Sequence, residues 1–177
     1  APEDTFFFVD IFCVAQHRVQ RPRSKTNANQ VDVGKFEEII KSSERLVFYC
    51  TPIANPEALR RVWCLYELMS AHLHQKSVAI ALSSEDREDL RRMLLKSSKD
   101  VVNMFMNIRS DRAQATFESD KTMIFGWIKR DLGENGFKKL DEIVGEGMRP
   151  WLVETGLRFC AELDQDNAEA ALLKNQV

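Results

Sequence analysis

The sequence predicts an α/β fold: a parallel sheet of about four strands flanked by helices, followed by a helical C-terminal extension. Three observations predict it. Short runs rich in Phe, Val and Ile alternate with amphipathic stretches of helical period up to about residue 108, the order expected of parallel strands joined by crossover helices. The first of these runs shows little polar alternation, as in a strand buried on both faces. Beyond residue 110 the apolar spacing is helical alone.

Each element has its own signal. "FFFVDIFCV", Phe6 to Val14, is the first strand. "AQHRVQRPRSKTNANQ" follows, with Pro22 and several Arg and Lys, and reads as a long exposed loop; loops of that length commonly carry function. Val33, Phe36, Ile39 and Ile40 then recur at helical spacing behind Asp32 as an N-cap. "RLVFYC" is the second buried strand, and the two prolines of "TPIANPEAL" mark a loop before a helix from Leu59 to Leu73. "SVAIAL" is the third strand, after which Ser83 or Ser84 caps a helix with Leu90, Met93 and Leu94 on one face. "VVNMFMNI", Val101 to Ile108, is the fourth strand. Phe117, Ile124, Trp127 and Ile128 form one helical stripe, and Phe137, Leu140, Ile143 and Val144 a second. "GEGMRP" predicts a break at Pro150 before the helix resumes through Trp151, Leu152 and Leu163, and "ALLKNQV" is expected to fray.

With 177 residues the chain suits one ordinary domain: an α/β part over 1–130 and a helical extension over 131–177 packed on it. An apolar share of 44%, a charged share of 29% and a net charge of -2 describe a soluble globular protein with no advertisement of nucleic acid. The longest near-apolar run contains Asp10 and falls far short of the roughly 20 residues needed to cross a bilayer. Glu3 and Asp4 before that run, with no small-residue cleavage pattern after it, argue against a signal peptide. The start at Ala1 without Met suggests a processed product, a cloned domain or part of something longer. Cys13, Cys50, Cys64 and Cys160 lack CxxC spacing and read as free thiols. They point to an intracellular, reducing compartment: the cytoplasm, or an organelle after processing.

Metal and nucleotide motifs are missing. His72 and His74 are two apart, so on a helix they point in different directions and share no metal. There is no GxGxxG after a strand and no GxxxxGK[ST]. The loop holding His17, Arg18, Arg21, Arg23 and Lys25 could meet a phosphate or an acidic partner. It leaves the first strand at its carboxyl end, where open parallel sheets bind ligands. The same edge receives "TPIANPEAL", so Asp10, Gln16, Arg60, Trp63 and Glu67 are expected to approach one crevice. From helix propensity alone, Glu67 reads as a half-exposed helix residue.

"RVWCLYEL", Arg61 to Leu68, resembles the WCxxEL motif of TIR (Toll/interleukin-1 receptor) domains of plant and bacterial type. "LVFYCTPIANPEALRRVWCLYELMSAHL" fits the strand, Pro-containing loop and helix around that motif, and "FFFVDIFCVAQH" resembles a strand and Gln-containing loop of a TIR-like group in protists and fungi. The resemblance runs from Phe6 to about Ile128. It implies a flavodoxin-like parallel sheet serving as a signalling and self-association module. Some members also cleave NAD between nicotinamide and ribose, and that role would fall on Glu67, whose carboxylate could stabilise an oxocarbenium-like ribosyl cation. The family's first strand-helix unit precedes the part matching Phe6 onward and is missing here. Its strand would lie between those matching Phe6–Val14 and Leu46–Cys50, leaving unpaired backbone groups inside the sheet.

The expected function is therefore a non-catalytic TIR-like interaction or scaffold module, an accessory subunit without a cofactor, whose missing strand comes from a protein partner or a parent chain. The alternative is an NAD glycohydrolase using Glu67, with NAD as substrate. A weaker one is a phosphate or acidic-partner binder working through residues 17–25.

Overall fold

In a computed structural model of the chain, residues 28–174 are described. Among them lie five α-helices and two strands: α1 (Ala28–Ser42), β1 (Arg45–Tyr49), α2 (Val62–Leu73), β2 (Ser77–Ala81), α3 (Ser84–Met106), α4 (Glu118–Leu132) and α5 (Gly136–Lys174). The fold is mixed α/β, and the expected crossover pairing is present once: β1 and β2 are parallel, in register from Arg45 opposite Ser77 to Tyr49 opposite Ala81.

Helix α2 connects the two strands and sits at the centre. It packs on α1, α4, α5 and both strands, which explains a composition that is apolar almost all round. Val62, Leu65, Tyr66, Leu68, Met69 and Ala71 are all buried. Its start has no side-chain cap; instead the Val62 N–H donates to the Gln114 carbonyl at 3.0 Å. Leu59 and Arg60, expected in this helix, belong to a separate 3-10 turn, Glu57–Arg60.

Several expectations are corrected. The sheet of the described residues has two strands rather than about four. Phe6–Val14 lies outside the described residues, and Val101–Ile108 is not a strand, because Val101 to Met106 complete α3. The buried residues there, Val101, Phe105 and Ile108, are spaced four and three apart, which is a helical period. Helix α3 bends at Ser97, whose backbone is extended (φ -162°, ψ 95°). The Ser97 hydroxyl accepts the Asp100 N–H at 3.3 Å and so caps the second segment. The last helix does not break at "GEGMRP": α5 runs through Pro150 and remains helical to Lys174. Asp32 lies inside α1, one turn after its start at Ala28.

Strand β1 is not buried on both faces among the described residues. Leu46, Phe48 and Cys50 join the core, whereas Val47 is 50% and Tyr49 51% exposed.

Helices α3, α4 and α5 close the other side of the core, with Leu90, Phe105, Ile124, Ile128, Leu140, Val144 and Met148 all buried there. Trp151 of α5 meets Phe105 edge-on at 5.9 Å between centroids. The α4–α5 turn depends on two glycines. Gly133 takes φ 83°, a conformation other residues adopt at a cost. At Gly136 a Cβ would lie 2.8 Å from the Ile128 carbonyl oxygen. No helix of the described residues is long and apolar enough to cross a membrane.

Candidate functional site

The expected site residues divide into two groups. Asp10, Gln16, His17, Arg18, Arg21 and Arg23 lie outside the described residues. Arg60 ends the 3-10 turn before the central helix, and Trp63 and Glu67 lie in the helix itself.

Trp63 and Glu67 are four apart on α2 and share a face. Trp63 is half-buried and packs on Phe36 of α1, with ring centroids 6.0 Å apart and a tilt of 44°. Tyr66, on the neighbouring face, meets Trp127 of α4 at 5.3 Å. Burial pushes the Tyr66 hydroxyl above the usual phenol range. Glu67 is half-buried one turn after Trp63. It is not among the residues lining either of the two cavities described below.

Arg60 lines a cavity of about 410 Å³ that Glu67 does not line. One wall is the connection leaving the carboxyl end of β1, with Asn55 and Arg60. The other is the segment after α3, with Asn107, Arg109, Arg112 and Gln114. Leu59, Met104 and Ile108 make its apolar part. Arg109 holds Asp111 by two bonds, Nε to Oδ1 at 3.0 Å and Nη2 to Oδ2 at 2.9 Å. That pairing keeps the Asp111 carboxyl below its usual range and raises Arg109. The sequence singled out Arg60 but missed Arg109 and Arg112, which become its neighbours only when the chain returns from α3.

A second cavity, of about 590 Å³, lies at the far end of α2. His72 and Leu73 face Lys139, Glu142 and Glu146 of α5 there, so its charges are mixed. Lys139 is partly occupied, donating to the Leu132 carbonyl at 2.8 Å. Among the described residues no group of three or more His, Cys, Asp or Glu could hold a metal ion.

The sheet itself is the third feature. The Cys50 N–H donates to the Ala81 carbonyl at 3.0 Å, and backbone groups alternate along a parallel strand. The N–H and C=O of Phe48 therefore point towards β2, and those of Val47 and Tyr49 point away from it. Among the described residues nothing pairs with that second edge. The two exposed apolar residues of β1 are thus also among those whose backbone groups face the edge left unpaired by the described residues.

Compared with known proteins, the chain matches no family model, no curated protein and no solved structure.

Proposed function

We propose that this chain is a TIR-like interaction module, a scaffold or accessory unit that works by having its sheet completed by a strand of a protein partner or parent chain. The observation that supports this most is the side of β1 that nothing pairs with among the described residues. Val47 and Tyr49 present apolar side chains together with backbone N–H and C=O groups, the combination through which an added strand gains main-chain bonds and side-chain pockets at once.

The test is photocrosslinking from a benzophenone residue at position 49 in the native host, with position 149 on α5 as the control. A discrete protein adduct from 49, absent from 149 and lost when Val47→Lys is added, is the expected result. No adduct from 49, or equal adducts from both positions, overturns the reading.

The NAD glycohydrolase reading rests on Glu67, held half-buried one turn after Trp63. Its test is nicotinamide release from NAD with the chain clustered on a scaffold. Release abolished by Glu67→Ala supports an enzyme; no release, or release unchanged by Glu67→Ala, removes that reading. The weaker phosphate-binding reading through residues 17–25 predicts salt-sensitive binding lost on neutralising Arg18, Arg21 and Arg23.

A further inference from the structure

We infer that the cavity between the β1–α2 connection and the segment after α3 binds a small phosphomonoester, with Arg60 and Arg112 as its principal anion contacts. Its lining includes no residue of β1 and not Glu67, so it stands or falls independently of the function proposed above.

The first argument is charge. Three guanidinium groups, Arg60, Arg109 and Arg112, line the cavity, and among the described residues no carboxylate does. The chain as a whole carries a net charge of -2, so this concentration does not follow from composition. Arg109 is engaged by Asp111, whereas neither Arg60 nor Arg112 has a carboxylate within ion-pair distance among the described residues. Both are exposed residues that line the concave site. Planar guanidinium groups suit phosphate oxygens because two N–H donors can meet two acceptors.

The second argument is rigidity. The two walls are fastened to each other by the backbone. Gln114 donates to the Arg60 carbonyl at 2.7 Å and accepts from Val62 at 3.0 Å, forming a parallel bridge with Arg61. The Gln114 side chain donates to the Arg112 carbonyl at 3.0 Å. The second wall is anchored to α5, where the Ser110 N–H donates to Asp141 at 2.8 Å and its hydroxyl to the Phe137 carbonyl at 3.0 Å. Arg60 and Arg112 therefore project from fixed main chain, which lowers the entropy lost when a ligand orders them.

The third argument is the lining between the charges. Asn55 and Asn107 add amide donors and acceptors, and Leu59, Met104 and Ile108 supply an apolar floor. A volume of about 410 Å³ falls within the usual range of small-molecule sites. An exposed anion patch would need no floor. A phosphate carried on a small organic group uses both parts.

The test follows backbone amide resonances of the whole chain during titration with inorganic phosphate, glucose 6-phosphate and glucose. Saturable shifts of Asn107 and Gln114 are expected with the two phosphates and not with glucose. Arg60→Gln and Arg112→Gln, both at exposed positions, are each expected to weaken glucose 6-phosphate binding by about tenfold. Arg149→Gln on α5 should leave it unchanged. Asp111→Asn, which releases Arg109 and removes the adjacent negative charge, should tighten it several-fold, a gain that a merely structural role for these arginines would not produce. Equal shifts with glucose, affinity insensitive to Arg60→Gln and Arg112→Gln, or no saturable binding in the millimolar range overturns the assignment.

Discussion

Asp86 and Ile53 join two stretches of chain that are 33 residues apart: the Asp86 Oδ1 accepts the Ile53 backbone N–H at 2.7 Å. The other carboxylate oxygen accepts the Ser83 hydroxyl at 2.7 Å, while the Ser83 oxygen accepts the Asp86 N–H at 3.0 Å. One buried carboxylate thus holds the loop after β1 against the first turn of α3. Bonds from Ser83, Ile53 and Thr51 keep its carboxyl below the ordinary Asp range.

Replacing Asp86 with Ala leaves the buried Ile53 N–H without its acceptor and is expected to cost about 2–3 kcal/mol in urea denaturation. Because the folded-state value is depressed, the carboxylate's contribution is complete above the ordinary Asp value of about 3.9. It is lost as pH falls through the lower folded value. Stability of the parent should therefore fall in that acid window, and the Asp86→Asn variant should show a shallower fall. Identical acid profiles would remove this role.

Two glycines of α5 should respond in opposite directions to the same change. At Gly136 an added Cβ meets backbone, the Ile128 carbonyl oxygen at 2.8 Å, and cannot be accommodated by side-chain movement. Gly136→Ala is expected to destabilise by about 1–3 kcal/mol. Around Gly147 nothing lies within 4 Å of the added atom, and the position is helical. Gly147→Ala should stabilise by about 0.5–1 kcal/mol. Thermal melts of the two variants compare them directly.

Phe105 is fully buried and touches Trp151 edge-on. Phe105→Ala is expected to cost about 3–5 kcal/mol. Loss of the near-ultraviolet dichroism contributed by the tryptophan environment would accompany it. A cost below about 1 kcal/mol would mean that α3 does not pack on α5 through this ring.

Cysteine reactivity should separate by burial. Desolvation pushes the Cys50 thiol up to about 12, and the residue is fully buried. Cys160 is an exposed thiol on α5. Iodoacetamide at mildly alkaline pH should alkylate Cys160 in the native protein and Cys50 only after unfolding, with peptide mapping as the readout. Native labelling of Cys50 would contradict the packing of β1.

Much of this was legible in the sequence, and the errors have physical sources. β1 and β2 end within a residue of where the apolar runs placed them, and α2 ends at Leu73 as expected but begins at Val62, three residues after Leu59. Val101–Ile108 went astray because two adjacent valines and a Phe suggested a strand, although the spacing of Val101, Phe105 and Ile108 is helical. A second signal was present: Ser97 and Asp100 repeat the serine-to-aspartate spacing of Ser83 and Asp86, and both serines cap helical segments. Pro150 suggested a break, but the helix accepts it where its ring is exposed to solvent. The cavity's arginines were not legible together, because Arg60 and Arg112 meet only through the Gln114 bridge between distant segments.

Helix α5 has one more consequence, which concerns the order of synthesis. At 39 residues it extends about 58 Å, and it supplies Leu140, Val144, Met148, Leu152 and Phe159 to a core begun by elements that precede it. The faces of α2, α3 and α4 that pack on α5 leave the ribosome bare and stay so until Phe159 has cleared the exit tunnel. Nascent chains arrested before that point should engage a holding chaperone, and release should coincide with the appearance of α5 rather than with pairing of the two strands.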